Sequence, residues 1–405
     1  MLVFDNKKIV FDYSHCQQCG ACEAVCPKGA ITLVMRGDAT HDVTVDDDRC
    51  IRCQRCVRVC PANKAEDYKE YFDDFGAKRY FLGYNADEKV RRESSSGGVC
   101  KTLIIESLKD GLTDGVYTLR RTDVFPYAEG EFYTKDNIPG YDDIPNSVYH
   151  TLPVCRNIDK IRHCKKLIVV GTSCQLRAMN AALKGKADEI VRVCIFCKQQ
   201  KTLGSTRFLA KMMGAKVPEN KKFFVRYRGQ GWPGIVRVNE AKLPYSRAAS
   251  LPFGRRLWTV PGCNVCGDPF GTNTEADISL MDPWTIRRPN GLGETLITVH
   301  TERGMELLRQ TAAIRLEPKS FEEVKPALDL PDIWRKQQLV PFFRGEECSA
   351  VARKAGRAEV RQRKFLRSLV ETLPRMPLLF YRVLCHFWPD FRNRILKSSD
   401  SVDPN

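Results

Sequence analysis

Apolar residues along this chain fall into short blocks with two different periods. Near the start, AITLVM (30–35) and HDVTVD (41–46) read as the two strands of a hairpin. The stretch KAEDYKEYFDDFGAK (64–78) is charged and aromatic and reads as a connector. From about residue 79 the blocks lengthen. RRESSSGGVCKTLIIESLKDG (91–111) is a Ser/Gly loop opening an amphipathic helix, with Val99, Leu103 and Leu108 apolar and Gly111 a plausible C-cap. KKLIVVGTSCQLRAMNAAL (165–183) predicts a buried strand, a turn and a helix. DEIVRVCIFC (188–197) predicts another strand, with a helical stretch following from about Leu203 to Met213. Repeated strand–loop–helix units predict a mixed α/β core. The organisation expected is a small module over 1–66, a connector over 67–78, a core over 79–340 and a tail over 341–405.

Cysteine spacing assigns chemistry to the first module. Of the 18 cysteines, Cys16, Cys19, Cys22 and Cys26 form C-x2-C-x2-C-x3-C before Pro27. Cys50, Cys53, Cys56 and Cys60 repeat the run before Pro61. This is the bacterial two-cluster ferredoxin run, in which the fourth cysteine of each run ligates the other cluster. One [4Fe–4S] centre is therefore assigned Cys16, Cys19, Cys22 and Cys60, the other Cys50, Cys53, Cys56 and Cys26. Two-residue gaps let a tight loop turn three thiolates toward one cube. Gly20 and Ala21 are small enough for that loop to close, and the proline sends the fourth thiolate across. Zinc is the alternative for such cysteines. A module of this kind moves single electrons and does no substrate chemistry.

Further along, PGCNVCGDPF (261–270) supplies only Cys263 and Cys266 of the four ligands that a tetrahedral metal or a cube needs. Cys174 follows the strand LIVVGTS and Cys197 ends the strand VRVCIF, both at the strand edge where α/β sheets place ligands. Cys194, inside the strand, reads as a buried thiol. The loop Ser94–Gly98 opens a helix, so its backbone N–H groups suit either a phosphate or an ordinary helix cap.

Charge changes the picture little. Lys and Arg number 65 against 49 Asp and Glu, a formal net charge of +16. Three cubes with four thiolates each would reduce that to about +10. Much of the remainder sits in the tail and no helix-turn-helix pattern is evident, so no nucleic-acid partner is expected. The opening MLVFDNKKIVFDYSH lacks a basic region followed by a long apolar one, and no run approaches a membrane span. A reducing, cytoplasmic setting is expected, where cysteines act mostly as ligands.

Over about 90–325 the chain resembles the coenzyme F420-reducing hydrogenase/dehydrogenase beta-subunit family. The resemblance rests on an ordered series: SSSGGV (94–99), NSVYHTLPV (146–154), GTSCQL (171–176), IFCKQ (195–199), GCNVC (262–266), ADIS (276–279) and GLGETLITVHTERG (291–304). It implies a flavin-binding core of mixed α/β type carrying FAD and a third [4Fe–4S] centre on Cys174, Cys197, Cys263 and Cys266. Cys194 in place of Cys197, and zinc at the same site, stay open. The flavin pyrophosphate is expected near Ser95, Ser96, Gly97 and Gly98. Tyr149 and Thr151 fall where the family's S-K-Y segment approaches the flavin. Val148 stands where a lysine is usual, which puts the deazaflavin in doubt as the substrate. Tyr149 and His150 are candidate proton donors. Arg226, Arg228 and Trp232 of RYRGQGWPG (226–234) would frame an anionic or aromatic substrate, with a solvated hairpin as the bland alternative. DPW (282–284) reads as a turn without chemistry.

Between 351 and 397 twelve Lys/Arg face three Asp/Glu, interleaved with Phe365, Leu366, Leu369, Leu373, Leu378, Leu379, Phe380, Phe387, Trp388 and Phe391, and broken by Pro374, Pro377 and Pro389. Such a tail docks on its own protein or a partner subunit, or lies on the inner face of a membrane. The function expected is an FAD- and iron–sulfur-dependent oxidoreductase fed by a ferredoxin or another one-electron carrier and acting on an organic acceptor. A deazaflavin-using subunit of a larger complex and a pure electron-transfer or scaffold protein are the rival readings.

Overall fold

The computed structural model describes residues 1–64, 68, 70–215, 224–248, 253, 256–272, 275–288 and 290–372. The first module holds two hairpins, β1 (Leu2–Asp5) with β2 (Lys8–Phe11) and β3 (Ile31–Met35) with β4 (His41–Val45), and two short helices, α1 (Ala21–Ala24) and α2 (Arg55–Val59). Leu2, Ile9, Ile31, Leu33 and Val43 form its core. The expected hairpin is present, with Leu33 facing Val43 in register.

The core follows in the order β5 (Arg79–Asn85), α3 (Glu88–Glu93), α4 (Val99–Lys109), β6 (Gly115–Arg121), β7 (Ala128–Tyr133), β8 (Cys164–Gly171), α5 (Ser173–Ala182), β9 (Ala187–Ile195) and α6 (Gly204–Met212). A small sheet of β10 (Val225–Arg226), β11 (Ile235–Val238) and β12 (Ala241–Pro244) precedes α7 (Tyr245–Ala248). The chain then returns through β13 (Ile278–Met281), β14 (Thr295–Val299), α8 (Glu302–Gln310) and β15 (Ile314–Lys319). Helices α9 (Phe321–Leu328), α10 (Leu330–Arg344) and α11 (Ala350–Thr372) follow. An eight-stranded sheet runs β15-β5-β14-β13-β9-β8-β6-β7. Its centre, β13-β9-β8-β6, is parallel and both flanks are antiparallel. Leu167, Ile168 and Val169 of β8 are fully buried, as expected of a central parallel strand. Parallel pairing brings the carboxyl ends of β8, β9 and β13 to one edge, so that Thr172, Cys197 and Asp282 emerge together.

Two elements differ from the sequence reading. Helix α4 is buried on most of its surface, including Lys101, Thr102 and Ser107. Ile138, Tyr141 and Ile144 cover the side turned away from the sheet, and Lys101 donates to the Tyr141 carbonyl at 2.7 Å. The stretch taken as a connector contributes Tyr71 and Phe75 to a core with Tyr80, Phe270, Val324 and Ile333. Large aromatic side chains gain too much by burial to remain in a solvated link.

In the tail, α11 continues to Thr372; the prolines at 374, 377 and 389, the apolar residues from Leu373 onward and Cys385 lie outside the described residues. Among the described residues no helix is long and apolar enough to cross a membrane.

Candidate cluster and cofactor sites

Among the N-terminal thiols, Cys60 of the second run stands near Cys16 and Cys22, and Cys26 of the first run stands near Cys56. Burial pushes the Cys22 thiol far up, and Cys19, Cys16 and Cys60 push it further. Burial lifts Cys16 to about 12, with Cys19 and Cys60 adding to the rise. In the second group burial lifts Cys56 to about 11, with Cys26 and Cys50 beside it. Left-handed residues Gln18, Gly20, Arg52 and Gln54 turn the two loops at matching positions. Three of these are not glycine, so fixed turns are held at a conformational cost.

The first loop is also the joint to the core. A Cβ on Gly20 would lie 2.8 Å from Pro153 Cβ, and the Cys155 N–H donates to the Cys19 carbonyl at 2.8 Å. A Cβ on Gly262 would overlap the Cys16 carbonyl, so the loop carrying Cys263 lies directly on the loop carrying Cys16.

Cys174, Cys197, Cys263 and Cys266 converge behind that joint. Burial raises Cys174 well above an ordinary thiol, reinforced by Cys266, Cys263 and Cys197. Burial brings Cys197 to about 12, and Cys263 adds to the rise. Cys194 stands inside β9 with its Sγ toward its neighbour's carbonyl; burial raises it, then Asp268 before any thiol. Among the described residues no three His, Cys, Asp or Glu side chains meet closely enough to hold one ion. That applies to the N-terminal octet as well, and a cube places its ligands on separate irons.

The surroundings of this third set fit an anionic group. Lys201 and Lys336 are 2% and 3% exposed beside these thiols. Burial pulls the Lys201 ammonium down to about 7, against the pull of Cys263. Lys336, from α10, donates to the Lys198 carbonyl at 2.5 Å. Buried ammonium groups need nearby negative charge, and four thiolates around a cube provide it where neutral thiols would not. Asp268, fully buried in the same motif, ties the loop down by accepting from Tyr71 at 2.8 Å, Ser173 at 3.0 Å and the Thr272 N–H at 2.9 Å.

A second site lies beyond the carboxyl end of β13. Arg228, completely buried, pairs with Asp282 at 2.8 Å and donates to the Ser95 carbonyl at 2.9 Å and to Tyr149 Oη at 3.3 Å. Ser96 and Trp232 donate to the same carboxylate, Trp232 at 2.9 Å. Burial opposes charge on Asp282, but Arg228 and these donors together hold it below the usual carboxylate range. The solvated-hairpin reading of RYRGQGWPG therefore fails at Arg228, and the DPW turn carries the site's central charge. Arg226 is committed to Glu93. Around Arg228 an aromatic wall forms: Tyr149 stacks on Phe253 at 4.9 Å and on Tyr245 at 5.6 Å, and Trp284 meets Trp232 at 4.6 Å and Tyr245 at 5.9 Å. Trp284 is 44% exposed, and Arg228 Nε is buried without a partner. A planar, polar-edged ligand suits such a wall.

The residues expected to cradle a pyrophosphate are partly committed elsewhere. The Ser96 hydroxyl serves Asp282. Ser95 Oγ meets Ser147 Oγ at 3.0 Å. Gly97 is glycine because a Cβ there would lie 2.9 Å from the Gly293 carbonyl. Gly98 caps α4 with φ 82° and leaves the amides of the first turn facing the loop. His150 uses both ring nitrogens, at 2.6 Å from Tyr227 Oη and 2.7 Å from the Pro126 carbonyl. The carbonyl can only accept, so His150 carries its proton on Nε2, and burial holds its basicity down to about 4. This arrangement makes it a positioning group rather than a proton donor. Thr151 faces the third thiol set instead, with Oγ1 3.0 Å from Gln200 Oε1; the Gln200 N–H points to Cys263 Sγ at 3.3 Å.

Three stretches of the chain match known protein families. Residues 80–137 match the description "Coenzyme F420 hydrogenase/dehydrogenase, beta subunit N-term", and residues 164–323 its C terminus. Residues 15–64 match a 4Fe-4S dicluster domain. A coenzyme F420-dependent sulfite reductase of Methanocaldococcus jannaschii is 21% identical over 352 residues, covering 82% of this chain and 49% of that protein. The chain thus spans about half the length of that relative. A chain of the F420-reducing [NiFe] hydrogenase complex from Methanosarcina barkeri aligns with a TM-score of 0.46 at 20% identity, covering 68% of this chain and 92% of that one. With the two halves of the beta-subunit description matching in order behind a dicluster domain, this chain belongs to the coenzyme F420 hydrogenase/dehydrogenase beta-subunit family.

Proposed function

We propose that the protein is an iron–sulfur flavoprotein oxidoreductase that accepts single electrons from an acidic carrier protein such as a ferredoxin and delivers them in pairs to an organic acceptor. One observation carries this reading. The segment 149–155 touches all three places in turn: Tyr149 in the aromatic wall, Thr151 beside the Cys263 loop through Gln200, Pro153 on Gly20, and Cys155 on Cys19. When bound, [4Fe–4S] centres exchange one electron and a flavin two, so together they couple the two kinds of carrier.

The chain's own residues divide the work. Cys16, Cys19, Cys22 and Cys60 would hold the inner N-terminal centre, and Cys26, Cys50, Cys53 and Cys56 the outer one. Cys174, Cys197, Cys263 and Cys266 would hold the third, with Lys201 and Lys336 balancing its charge. The Cys16–Cys22 loop is covered by Pro153 and Gly262, whereas the Cys50–Cys56 loop is open. Exposed Arg49, Arg52, Arg55 and Arg58 surround that open loop, and Ile51 is 56% exposed at its tip. An acidic carrier would dock there. A flavin would lie against Tyr149 and the first-turn amides of α4, with Ser95–Gly98 kept in place by Arg228 and Asp282. Trp232 and Trp284 offer a planar acceptor a platform at the mouth of the site.

The test is anaerobic purification followed by iron, acid-labile sulfide and flavin determination. About twelve irons and one flavin per chain support the reading. About eight irons would remove the third centre, and eight with no flavin would overturn the class of function. A second reading, a deazaflavin-using subunit of a larger assembly, is favoured by the names of the relatives; reduction of F420 by the purified chain would separate it from the first. Val148, at the usual lysine position, packs against apolar neighbours and offers a deazaflavin no charge.

A further inference from the structure

Helix α11 has two faces of different chemistry. Its inner face is fastened to the third thiol set. Glu359 pairs with Arg256 at 3.1 Å and with Arg363, and Arg363 donates to Asn264, between Cys263 and Cys266, at 2.7 Å. A Cβ on Gly356 would overlap the Phe342 ring, so the helix lies flat against α10. The outer face is turned to solvent. Arg353, Lys354, Arg357, Arg361, Lys364 and Arg367 are all exposed, and no acid lies between 350 and 368 except the inward Glu359. Phe365, at the edge of this face, and Val351, at the start of the helix, are 68% and 79% exposed. At a rise of 1.5 Å per residue the six cations span about 21 Å.

We infer that this face adsorbs to an anionic lipid surface. Three features favour lipid over an acidic protein. The cations form an unbroken stripe with no acid among them to set a register, whereas a protein interface is specified by mixed charge. The exposed apolar side chain of Phe365 borders the stripe and that of Val351 precedes it, apolar contacts of the kind that interfacial helices use. The chain then continues through 373–397 with five more Lys/Arg, five aromatic residues and a single acid, a composition suited to a headgroup region. In sequence the next acids are Glu346, Glu347 and Glu371, all outside 350–368. Because the inner face holds the Asn264 loop, adsorption would set that side of the protein toward the bilayer.

The full-length, iron-loaded protein is to be sedimented with phosphatidylcholine vesicles and with the same vesicles containing phosphatidylglycerol. Binding is expected only to the anionic vesicles and to weaken steeply with salt. Arg357→Gln with Arg361→Gln, which leaves the Glu359 cluster intact, is expected to weaken partitioning about thirtyfold, from about 1 kcal/mol per cation. Iron content and circular dichroism show that the variant is folded. Failure to bind anionic vesicles at low salt would overturn the inference. So would equal binding to both vesicles that the double variant leaves unchanged, which would assign attachment to apolar residues. Binding of an acidic ferredoxin to this face, without vesicle binding, would replace the lipid with a protein partner.

Discussion

Replacing Asp282 with Asn removes the counter-charge of a guanidinium that has no access to water. Arg228 is 0% exposed and 2.8 Å from Asp282, whose side chain is itself only 17% exposed. Ser96 and Trp232 share the carboxylate, so an amide would also leave one of these donors poorly served. Deleting one member of a buried pair costs about 3–5 kcal/mol, because the survivor stays desolvated and unpaired. At about 2–4 °C per kcal/mol for a domain of this size, the apparent midpoint should fall by about 6–20 °C. The assay is thermal unfolding under argon, followed by circular dichroism, for the native chain, Asp282→Asn, Arg228→Met and the double variant. In the double variant no orphan charge remains, so its loss should fall short of the summed single losses by about 2 kcal/mol or more. A penalty for Asp282→Asn under about 1 kcal/mol, the range of exposed pairs, or strict additivity of the two changes would refute the reasoning.

Other outcomes follow from the same geometry. Cys263→Ser should lower iron from about twelve to about eight per chain while the spectra of the N-terminal pair persist. Gly262→Ala puts a methyl group into the Cys16 carbonyl; overpacking of about 1–3 kcal/mol is expected, and reduction of the third centre by an external carrier should slow while total iron stays unchanged. Burial holds His150 at about 4, so the folded protein resists a proton that the unfolded chain accepts from about pH 6.5. The stabilisation is complete above that pH and is lost as pH falls toward 4. At pH 5 it has declined by about 2 kcal/mol, a share of the pH dependence that His150→Phe should remove from denaturant titrations, while His41 and His300, also held down by burial, keep theirs. Glu359→Gln should release α11, and amide exchange over 350–368 should accelerate while exchange in β8 does not.

What was legible in the sequence was local. The run C-x2-C-x2-C-x3-C-P states its chemistry because all its geometry is made within one short loop, and only the crossing of Cys60 and Cys26 needs the fold. The strands over 164–171 and 187–195 were legible because central parallel strands are apolar on both faces. The Ser/Gly loop was found, but not what it does: Gly97 answers to Gly293 across the sheet edge, and Ser96 to a carboxylate 186 residues away. Helix α4 looked amphipathic because its cover, Ile138 to Ile144, comes from a later loop.

By itself, then, the sequence determined the dicluster module, the α/β core and the family to which the chain belongs, since each depends on short-range spacing or on the order of short motifs. Tertiary structure alone decided which charges meet. Arg228 and Asp282 are 54 residues apart and His150 and Tyr227 are 77 apart. Lys336 reaches the third thiol set from a helix beyond the family match. No periodicity encodes such pairings. They exist because parallel strands deliver their carboxyl ends to one edge, and because a charge carried into that edge without a partner would cost more than the fold gains by burying it.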